Sequence, residues 1–363
     1  MSKSYGNVTD PLDVMKEYGT DALRFTLLTG GTPGNDLNLS LDRVAGNRNF
    51  ANKIWNATRF VTRSLDKASR EDVTDEPAYT DADKWILSRL SETVANMDRL
   101  MDSYQFGEAG RQAYDFLWSE FADWYLELAK VQLNQGGQQA WTTLKVLHKV
   151  LDDCLRLLHP YIPFVTEETW QQLKQAYQEA DLGIEPQGGW EEALIIANWP
   201  KAGERYEQAA ADFSQLQEMV RRIRAARADH NVEPGRRIVA TIAAGEKLPF
   251  YTSQRSILAF LARLDEEKLH IAETAEAPEN VLTLALGDVT CYLPLAGMVD
   301  ITLERERLAK ELDNVNREIY RLTSLLSGPF ADKAPPPVVQ KERDKLARRE
   351  ASRTEIEGRL AAL

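Results

Sequence analysis

Apolar residues recur three and four positions apart through the middle of the chain, and this spacing predicts long amphipathic helices. The positions that carry it are Ile86, Leu90, Val94, Met97, Leu117, Phe121, Trp124 and Leu128. The predicted helices are one from Ser40 to about residue 65, then 81–103, 106–134, 139–158 and one that follows Pro163. Together they predict a helical bundle.

Tryptophan is concentrated in this bundle, since six of the eight tryptophans lie between residues 55 and 170. Large aromatic side chains stabilise a protein most when they are buried, so we interpret these residues as bundle core. Two stretches lack helical periodicity. The polar stretch 66–80 is predicted to be a connection, and the stretch 179–203, rich in Gly, Pro and Trp, is predicted to wrap the bundle surface.

The segment before the bundle, "TDPLDVMKEYG", predicts a short helix. Asp10 suits the capping position, Pro11 the first helical position and Gly19 a left-handed end. A second helix is predicted from Thr20 to the glycine pair that follows "TDALRFTLLT".

From about residue 205 the pattern changes to a helix followed by short apolar runs. The predicted elements are helices at 205–228 and 253–264 and strands at 237–243, 280–286 and 288–294. The last two strands flank Gly287, which predicts a tight hairpin. We therefore expect a small α/β module over 205–298.

The tail 299–363 has a different, heptad-like spacing of apolar residues. Its positions are Ile301, Leu308, Leu312, Val315, Ile319, Leu322 and Leu326. The stretch "SGPFADKAPPP" interrupts this pattern, and a second, highly charged helix follows it. The tail is therefore predicted to be an antiparallel coiled-coil hairpin, and the fold class of the whole chain is predicted to be mainly α.

Charge narrows the range of functions. The 363 residues include 56 acidic and 44 basic ones, so the net charge is −12. This balance argues against unspecific coating of nucleic acid but leaves room for local basic surfaces. The tail 299–363 holds 13 basic and 12 acidic residues, a net charge of +1, whereas the preceding 298 residues carry −13.

Cys154 and Cys291 are the only cysteines, and the four histidines are not spaced with them as metal ligands. We therefore expect no metal site and no disulfide framework, which fits a reducing cytoplasm. No apolar run has transmembrane length and the N-terminus has no signal-peptide core, so we expect a cytoplasmic protein without membrane association.

The opening "MSKSYGN" is the one stretch whose local sequence suggests catalysis. Lys3 offers an ammonium group, and Ser2 and Ser4 offer hydroxyl donors, which suit the charge that builds on a transferring phosphate. A short stretch of this kind at a terminus is also typical of a disordered tail. No P-loop, dinucleotide-binding, HExxH or CxxC motif occurs in the chain.

A longer run of residues decides between these interpretations. "MSKSYGNV" followed by "DPLDVMKEYGTDALRFTLL" resembles the KMSKS loop and the helices after it in class I aminoacyl-tRNA synthetases. The continuation "RVAGNRNFANKIWNATRFV", then "LHPYIPFVTEETW" and "LAGMVDITLERERLAKELDNVNREI", is similar to the valyl-tRNA synthetase family. Isoleucyl enzymes often end in a cysteine-rich zinc module, which two isolated cysteines cannot supply.

The resemblance implies roles for the opening loop. Met1, Ser2, Lys3 and Ser4 match the last four positions of KMSKS, so they would contact ATP, and Lys3 would stabilise the transition state of activation. Tyr5 stands where many relatives have lysine. The resemblance further implies that Met1 is an internal methionine of the motif, and that the HIGH loop, valine pocket and editing domain lie upstream. ATP with Mg²⁺ is then a cofactor of the complete enzyme, and this segment alone is expected to bind no cofactor and to be inactive.

Three basic clusters are candidate tRNA contacts. The first is a stripe at helical spacing, made by Arg48, Asn52, Asn56, Arg59 and Arg63, with apolar residues on the opposite face. The second is Arg221, Arg222, Arg224, Arg236 and Arg237, and the third, on the return helix of the tail, is Lys341, Arg343, Lys345, Arg348 and Arg349. Each cluster has an alternative explanation, namely a solvated face, salt bridges to this acidic chain, or ordinary coiled-coil flanking charge.

Four segments follow from this reading. They are the end of a class I catalytic domain (1–39), a helical anticodon-binding bundle (40–204), the α/β module (205–298) and a coiled-coil tRNA-binding arm (299–363). The expected partners are tRNA(Val) and, in the complete enzyme, valine and ATP, with the chain acting as a monomer. The alternative is a stand-alone, non-catalytic tRNA-binding protein derived from a synthetase.

Overall fold

The computed structural model describes residues 9–31, 39–70, 73–278, 280–295, 301–328 and 336–361. They are mainly helical with one small sheet, which confirms the predicted fold class. The chain divides into two compact units, Met1–Gln217 and Glu218–Leu363.

Eight α-helices belong to the described part of the first unit. They are α1 (Pro11–Tyr18), α2 (Thr20–Gly30), α3 (Leu41–Arg63), α4 (Asp81–Asp102), α5 (Phe106–Asp115), α6 (Leu126–Leu133), α7 (Gly137–Leu158) and α8 (Pro163–Ala180). A π-helical stretch, Phe116–Tyr125, joins α5 to α6, so the continuous helix predicted over 106–134 contains an unpredicted change of winding. The next helix, α9 (Glu207–Asp229), crosses the boundary between the two units.

The predicted helix starts are accurate where a cap defines them. Asp10 accepts a hydrogen bond from the Leu12 backbone N–H at 2.8 Å, and Pro11 is the first residue of α1. Gly19 ends that helix with φ +90° and ψ 154°, a positive φ as predicted, although ψ lies outside the left-handed helical region. Ser40 precedes α3 but makes no capping hydrogen bond through its side chain.

The bundle core consists of the apolar positions that the periodicity selects. Those that are buried include Ile86, Leu90, Val94, Met97, Leu117, Phe121, Trp124 and Leu128. Trp85, Trp141 and Trp170 are also buried, as predicted. The prediction was wrong for Trp55, which is 37% exposed, because its position on α3 lies outside the apolar face of that helix.

A polar clamp fastens α2 to the turn between α7 and α8. The carboxylate of Asp21 accepts hydrogen bonds from the backbone N–H groups of Phe164 (3.3 Å) and Val165 (2.7 Å), and so caps the N-terminus of α8. The Arg24 guanidinium donates to the carbonyls of Pro160 and Tyr161. Burial raises the pKa of the Asp21 carboxyl, while the two N–H donors act in the opposite direction.

The segment 181–206 follows α8 and lies on the bundle, as predicted for 179–203. Side chains of the bundle helices bind its backbone. Their hydrogen bonds are Trp141 Nε1 to the Leu182 carbonyl, Lys174 Nζ to Glu191, Gln171 Nε2 to Glu192, Arg156 Nη1 to Asn198 and Ser91 Oγ to Gly203. The segment, whose one regular element in the structure is a 3-10 turn at Leu194–Ile196, is thereby held on the bundle by side-chain hydrogen bonds to its backbone.

Helix α7 carries a buried charged network. Asp152 accepts hydrogen bonds from Arg156 Nε at 2.9 Å and from Trp170 Nε1 at 2.7 Å. All three side chains are at least nine-tenths buried. The carboxylate therefore satisfies two buried donors at once.

Two further buried groups on α7 have pKa values that move in opposite directions. Burial lowers the pKa of His148 from 6.5 to about 4, and raises the pKa of Asp153 from 3.8 to about 6. Between pH 4 and 6.5 the unfolded chain binds a proton at His148 that the native state does not, so this group contributes stability that is lost as pH falls. Asp153 contributes stability at low pH that is lost as pH rises towards 6.

These opposing terms lead to a prediction for stability against pH. In the unaltered chain they largely cancel between pH 4.5 and 6. In the Asp153→Asn variant the His148 term is left alone, so we expect the free energy of unfolding to fall more steeply on acidification, by up to about 1.4 kcal/mol per pH unit. Urea unfolding at several pH values measures the slope. The His148→Gln variant is the control, in which the slope relative to the unaltered chain should change in the opposite sense.

In the second unit a four-stranded sheet has the order β2-β1-β4-β3. Its strands are β1 (Thr241–Ala243), β2 (His270–Ala272), β3 (Val281–Leu286) and β4 (Val289–Pro294). Strands β3 and β4 form the predicted hairpin, and Gly287 has φ +58° in its turn. Strand β2, which pairs parallel to β1, was not predicted, and β1 is shorter than the predicted 237–243. The helix predicted over 253–264 is observed as α10 (Leu248–Ser253) and α11 (Arg255–Ala262).

The tail is a helical hairpin of α12 (Ile301–Ser327) and α13 (Pro336–Ala361). Its seam contains the buried residues Leu308, Val315 and Ile356, with Leu312 and Ile319 packed beside them. The predicted heptad positions from Leu308 to Leu322 are thus confirmed as the seam.

Candidate nucleic-acid interface

The predicted site residues fall into four groups, which differ in their place in the fold and in the contacts of their side chains within the protein. Met1, Ser2, Lys3 and Ser4 lie outside the described residues. The other three groups lie on α3, around α9 and on α13. Among the described residues, no group of three His, Cys, Asp or Glu side chains is arranged to hold a metal ion.

Helix α3 has the two faces that its sequence predicts. Phe50, Ile54, Ala57 and Val61 are buried, which fixes the rotation of the helix about its axis. The opposite face therefore points outward, and all five predicted contacts on it are exposed. They are Arg48, Asn52, Asn56, Arg59 and Arg63. We call this set the α3 stripe.

The α3 stripe is available for binding. Within the described part of the chain, the side chains of Asn52, Asn56, Arg59 and Arg63 make no hydrogen bond or ion pair. Arg48 lies over the ring of Tyr18, with its guanidinium carbon 5.8 Å from the ring centroid. The guanidinium and carboxamide groups of the stripe thus have unused donors, and the carboxamides have unused acceptors as well.

Charge singles out the same helix. Over Leu41–Arg63 the sequence has five basic residues and one acidic residue, Asp42 in the first turn, although the whole chain is strongly acidic. By contrast, α9 has four basic and four acidic residues. A locally positive surface attracts a polyanion to one place even on a negatively charged protein.

Trp55 is a member of this face that the sequence argument missed. It follows Asn52 by three positions and precedes Arg59 by four, which is the spacing of neighbours on one helical face. The signal was therefore present in the helical phase of α3. It was overridden by the general expectation that tryptophan belongs to the core.

The cluster around α9 is engaged within the protein. Arg222 donates to the carbonyl of Ala285 at 2.7 Å and pairs with Glu218 at 2.9 Å. Arg224 and Arg237 donate to carbonyls of Leu261 and Leu264. Arg221 pairs with Glu218, and the Arg236 carbonyl accepts a hydrogen bond from Arg227.

These contacts give much of the α9 cluster a structural role. Arginine side chains that satisfy carbonyls at helix ends and at the β3 edge stabilise the module itself. Fewer of their donors remain for a phosphate than on the α3 stripe.

The tail cluster is intermediate between these two cases. All five predicted residues on α13 are exposed. Lys345 pairs with Glu342 at 2.6 Å on the same helix, and Arg349 pairs with Glu318 of α12 at 2.6 Å. Lys341, Arg343 and Arg348 have no ion pair among the described residues. The two helices of the hairpin thus contact each other through apolar residues and expose basic side chains on the outside of α13.

Comparison with sequence families matches three separate parts of the chain. Residues 83–242 match the family described as "Anticodon-binding domain of tRNA ligase". Residues 300–363 match "Valyl tRNA synthetase tRNA binding arm", and residues 1–40 match "tRNA synthetases class I (I, L, M and V)". Within the described residues, no helix combines the length and apolar character that crossing a membrane requires.

Curated relatives are similar over the entire chain but are much longer. A valine–tRNA ligase from Carboxydothermus hydrogenoformans is 41% identical over 100% of this chain and 40% of its own length. Those of Enterococcus faecalis and Dehalococcoides mccartyi strain 195 are 40% and 42% identical, over 98% and 95% of this chain and 40% and 38% of theirs. A solved LeuRS–tRNA complex from Agrobacterium radiobacter K84 covers 58% of this chain at 20% identity with a TM-score of 0.41, too low to support an inference about fold.

This chain spans about 40% of the length of the first of these relatives. The three matched families follow one another in the order class I synthetase, anticodon-binding domain and tRNA-binding arm. The chain belongs to the valyl-tRNA synthetase family of class I aminoacyl-tRNA synthetases and corresponds to the C-terminal part of its members.

Proposed function

We propose that this chain is the tRNA-binding part of a valine–tRNA ligase and that the α3 stripe is its principal contact with tRNA(Val). The parent reaction is ATP-dependent activation of valine followed by transfer to the tRNA 3′ end. ATP, with Mg²⁺, belongs to that complete enzyme. A monomeric state and a cytoplasmic location stay predictions.

The observation that carries the proposal is the outward-facing stripe on a helix with five basic residues and one acidic residue, because four of its five side chains have no polar partner among the described residues. Arginine can bind phosphates or the edge of guanine, and asparagine can bind the edge of adenine through two hydrogen bonds. Specific RNA recognition uses such groups against unpaired loop nucleotides. The stripe has this chemistry, whereas much of the α9 cluster is occupied by carbonyls of its own module.

The hairpin of α12 and α13 would add a second, less specific contact. Three of its cations have no ion pair among the described residues and suit the phosphate backbone, namely Lys341, Arg343 and Arg348. Contacts of this kind contribute affinity and position the RNA without reading its sequence. For the opening loop, Lys3 would act in the parent enzyme at the ATP phosphates, as its match to the KMSKS motif implies.

The test is the dissociation constant of the chain for a tRNA(Val) transcript, measured by filter binding at several salt concentrations. In the Arg59→Ala variant we expect weaker binding and a decrease of about one in the slope of log K against log salt, because one phosphate-competent cation is lost. The absence of tRNA(Val) binding by the unaltered chain would overturn the proposal.

Arg99→Ala is the matched control. Arg99 is an exposed arginine on α4, in the same unit, with no side-chain ion pair among the described residues. Its replacement should leave both the dissociation constant and the salt slope unchanged. Equal effects of the two variants would mean that binding is governed by net charge and is not centred on α3.

A further inference from the structure

We propose that Trp55 is a stacking platform for one unpaired base of the bound RNA, held between Asn52 and Arg59 on α3. This inference rests on the proposed function and goes beyond it, because it assigns base recognition to a residue that the basic clusters do not include. The chemical class of the ligand is a single-stranded nucleotide, with the base on the indole and its phosphate towards the flanking cations.

The exposure of Trp55 is the first observation. The residue is 37% exposed, whereas Trp85, Trp141 and Trp170 of the same bundle are at most 1% exposed. No hydrogen bond of its indole N–H to a described residue is present. The surface tryptophan of the segment 181–206, Trp199, donates its indole N–H to Asp98 at 2.7 Å. The indole N–H of Trp55 is therefore available to a ligand together with its ring, whereas that of Trp199 is already bound.

The surroundings of Trp55 form the second observation. On an α-helix of 3.6 residues per turn, Trp55 lies about 20° from Arg48 and about 40° from Arg59 in angular position, so it borders one edge of the stripe. Asn52 is one turn before it and Arg59 one turn after it, at neighbouring distances on the helix surface. An aromatic plane with a carboxamide on one side and a guanidinium on the other can stack a base and bind its edge and phosphate together.

The same surroundings argue against a protein partner at this position. The buried core of a protein–protein interface is more apolar than its rim and is depleted of charged residues. On α3 the other exposed large apolar residue is Leu41, fourteen positions away and thus about 21 Å along the helix axis. Trp55 is a single aromatic ring among polar side chains, which suits a base better than an apolar protein surface.

The experiment uses the full chain and an RNA hairpin with the sequence of the tRNA(Val) anticodon stem and loop. Trp55→Ala should raise the dissociation constant about five- to 150-fold, the range for loss of one base–aromatic stack. Trp55→Phe, which keeps an aromatic plane, should stay within a few-fold of the unaltered chain. The salt slope should not change in Trp55→Ala, since no cation is removed.

Two controls separate stacking from a fold effect. Leu41→Ala removes another exposed apolar side chain from the same helix and should leave binding unchanged. Pairing the hairpin loop with a complementary oligonucleotide should remove the difference between the unaltered chain and Trp55→Ala, because paired bases cannot stack on the indole. Thermal unfolding of each variant reports whether the bundle is intact.

The outcomes distinguish this inference from the proposed function. If Arg59→Ala weakens binding and Trp55→Ala does not, the stacking role is wrong while the α3 stripe stands, and Trp55 is left for a protein contact. If Trp55→Ala weakens binding equally to the open and the paired loop, stacking is also wrong. If the unaltered chain binds neither the hairpin nor tRNA(Val), the proposed function itself fails.

Discussion

Replacing Asp152 with alanine is expected to lower the free energy of unfolding by about 3–5 kcal/mol, the usual cost of leaving a buried charge without its partner. The carboxylate binds Arg156 Nε and Trp170 Nε1, and both donors are buried. In Asp152→Ala they lose their acceptor and cannot reach water. Urea unfolding followed by circular dichroism measures the change.

The chain offers a matched control on its surface. Asp98 accepts a hydrogen bond from Trp199 Nε1 at 2.7 Å, the same chemistry in a solvated setting. Asp98→Ala should cost about 1 kcal/mol or less, because water replaces the lost partner. The double variant Asp152→Asn with Arg156→Met removes both charges and keeps an acceptor for Trp170, so it should be less destabilised than Asp152→Ala. Similar losses for Asp152→Ala and Asp98→Ala would show that burial does not govern the effect.

Gly110→Ala is expected to destabilise the bundle by about 1–3 kcal/mol, the range for overpacking a close contact. A Cβ atom at Gly110 would lie 2.7 Å from Cε1 of Tyr161 and 2.9 Å from Cγ2 of Thr29. The Tyr161 ring cannot move away freely, because its hydroxyl donates to the Phe106 carbonyl at 2.7 Å. Thermal and urea unfolding measure the loss.

Gly46 provides the opposite case for the same substitution. It lies on α3, and an added Cβ there would meet nothing within 4 Å. Gly46→Ala should therefore stabilise the chain by about 0.5–1 kcal/mol through helix propensity alone. Adding Thr29→Ser to Gly110→Ala removes Cγ2 and should restore part of the stability. Equal effects of Gly46→Ala and Gly110→Ala would contradict the steric explanation.

The sequence predicted those features that depend on neighbours along the helix. The spacing of apolar residues correctly predicted the buried face of α3 and the hairpin seam from Leu308 to Leu322. It could do so because the residues that form one face of a helix are close together in sequence. The position of Trp55 relative to the apolar face of α3 predicts an exposed side chain, whereas its residue type alone predicts a buried one. The three-residue strand β2 escaped prediction because its pairing with β1 joins segments far apart in sequence.

The candidate site was only partly predictable for a related reason. The sequence alone does not distinguish Arg59 from Arg224, since both are arginines among other basic residues of a helix. They differ because Arg224 reaches the Leu261 carbonyl at 2.9 Å, whereas Arg59 has no such partner among the described residues. Backbone carbonyls that are distant in sequence determine which arginine side chains are bound within the fold. A count of charges along the chain therefore cannot separate RNA-binding arginines from structural ones.

The clamp between Asp21 and α8 also bears on how the chain folds during synthesis. The cap joins residues 144 positions apart, a distance that the ribosome covers in about 7 to 30 s. For that interval α2 has no α8 to cap, and Phe25, buried in the native chain, lacks the ring contact that Tyr161 provides. The packing of α2 is therefore completed only after the turn at Pro160 has been synthesised, and we expect nascent chains arrested before that turn to leave Phe25 more exposed than in the native fold.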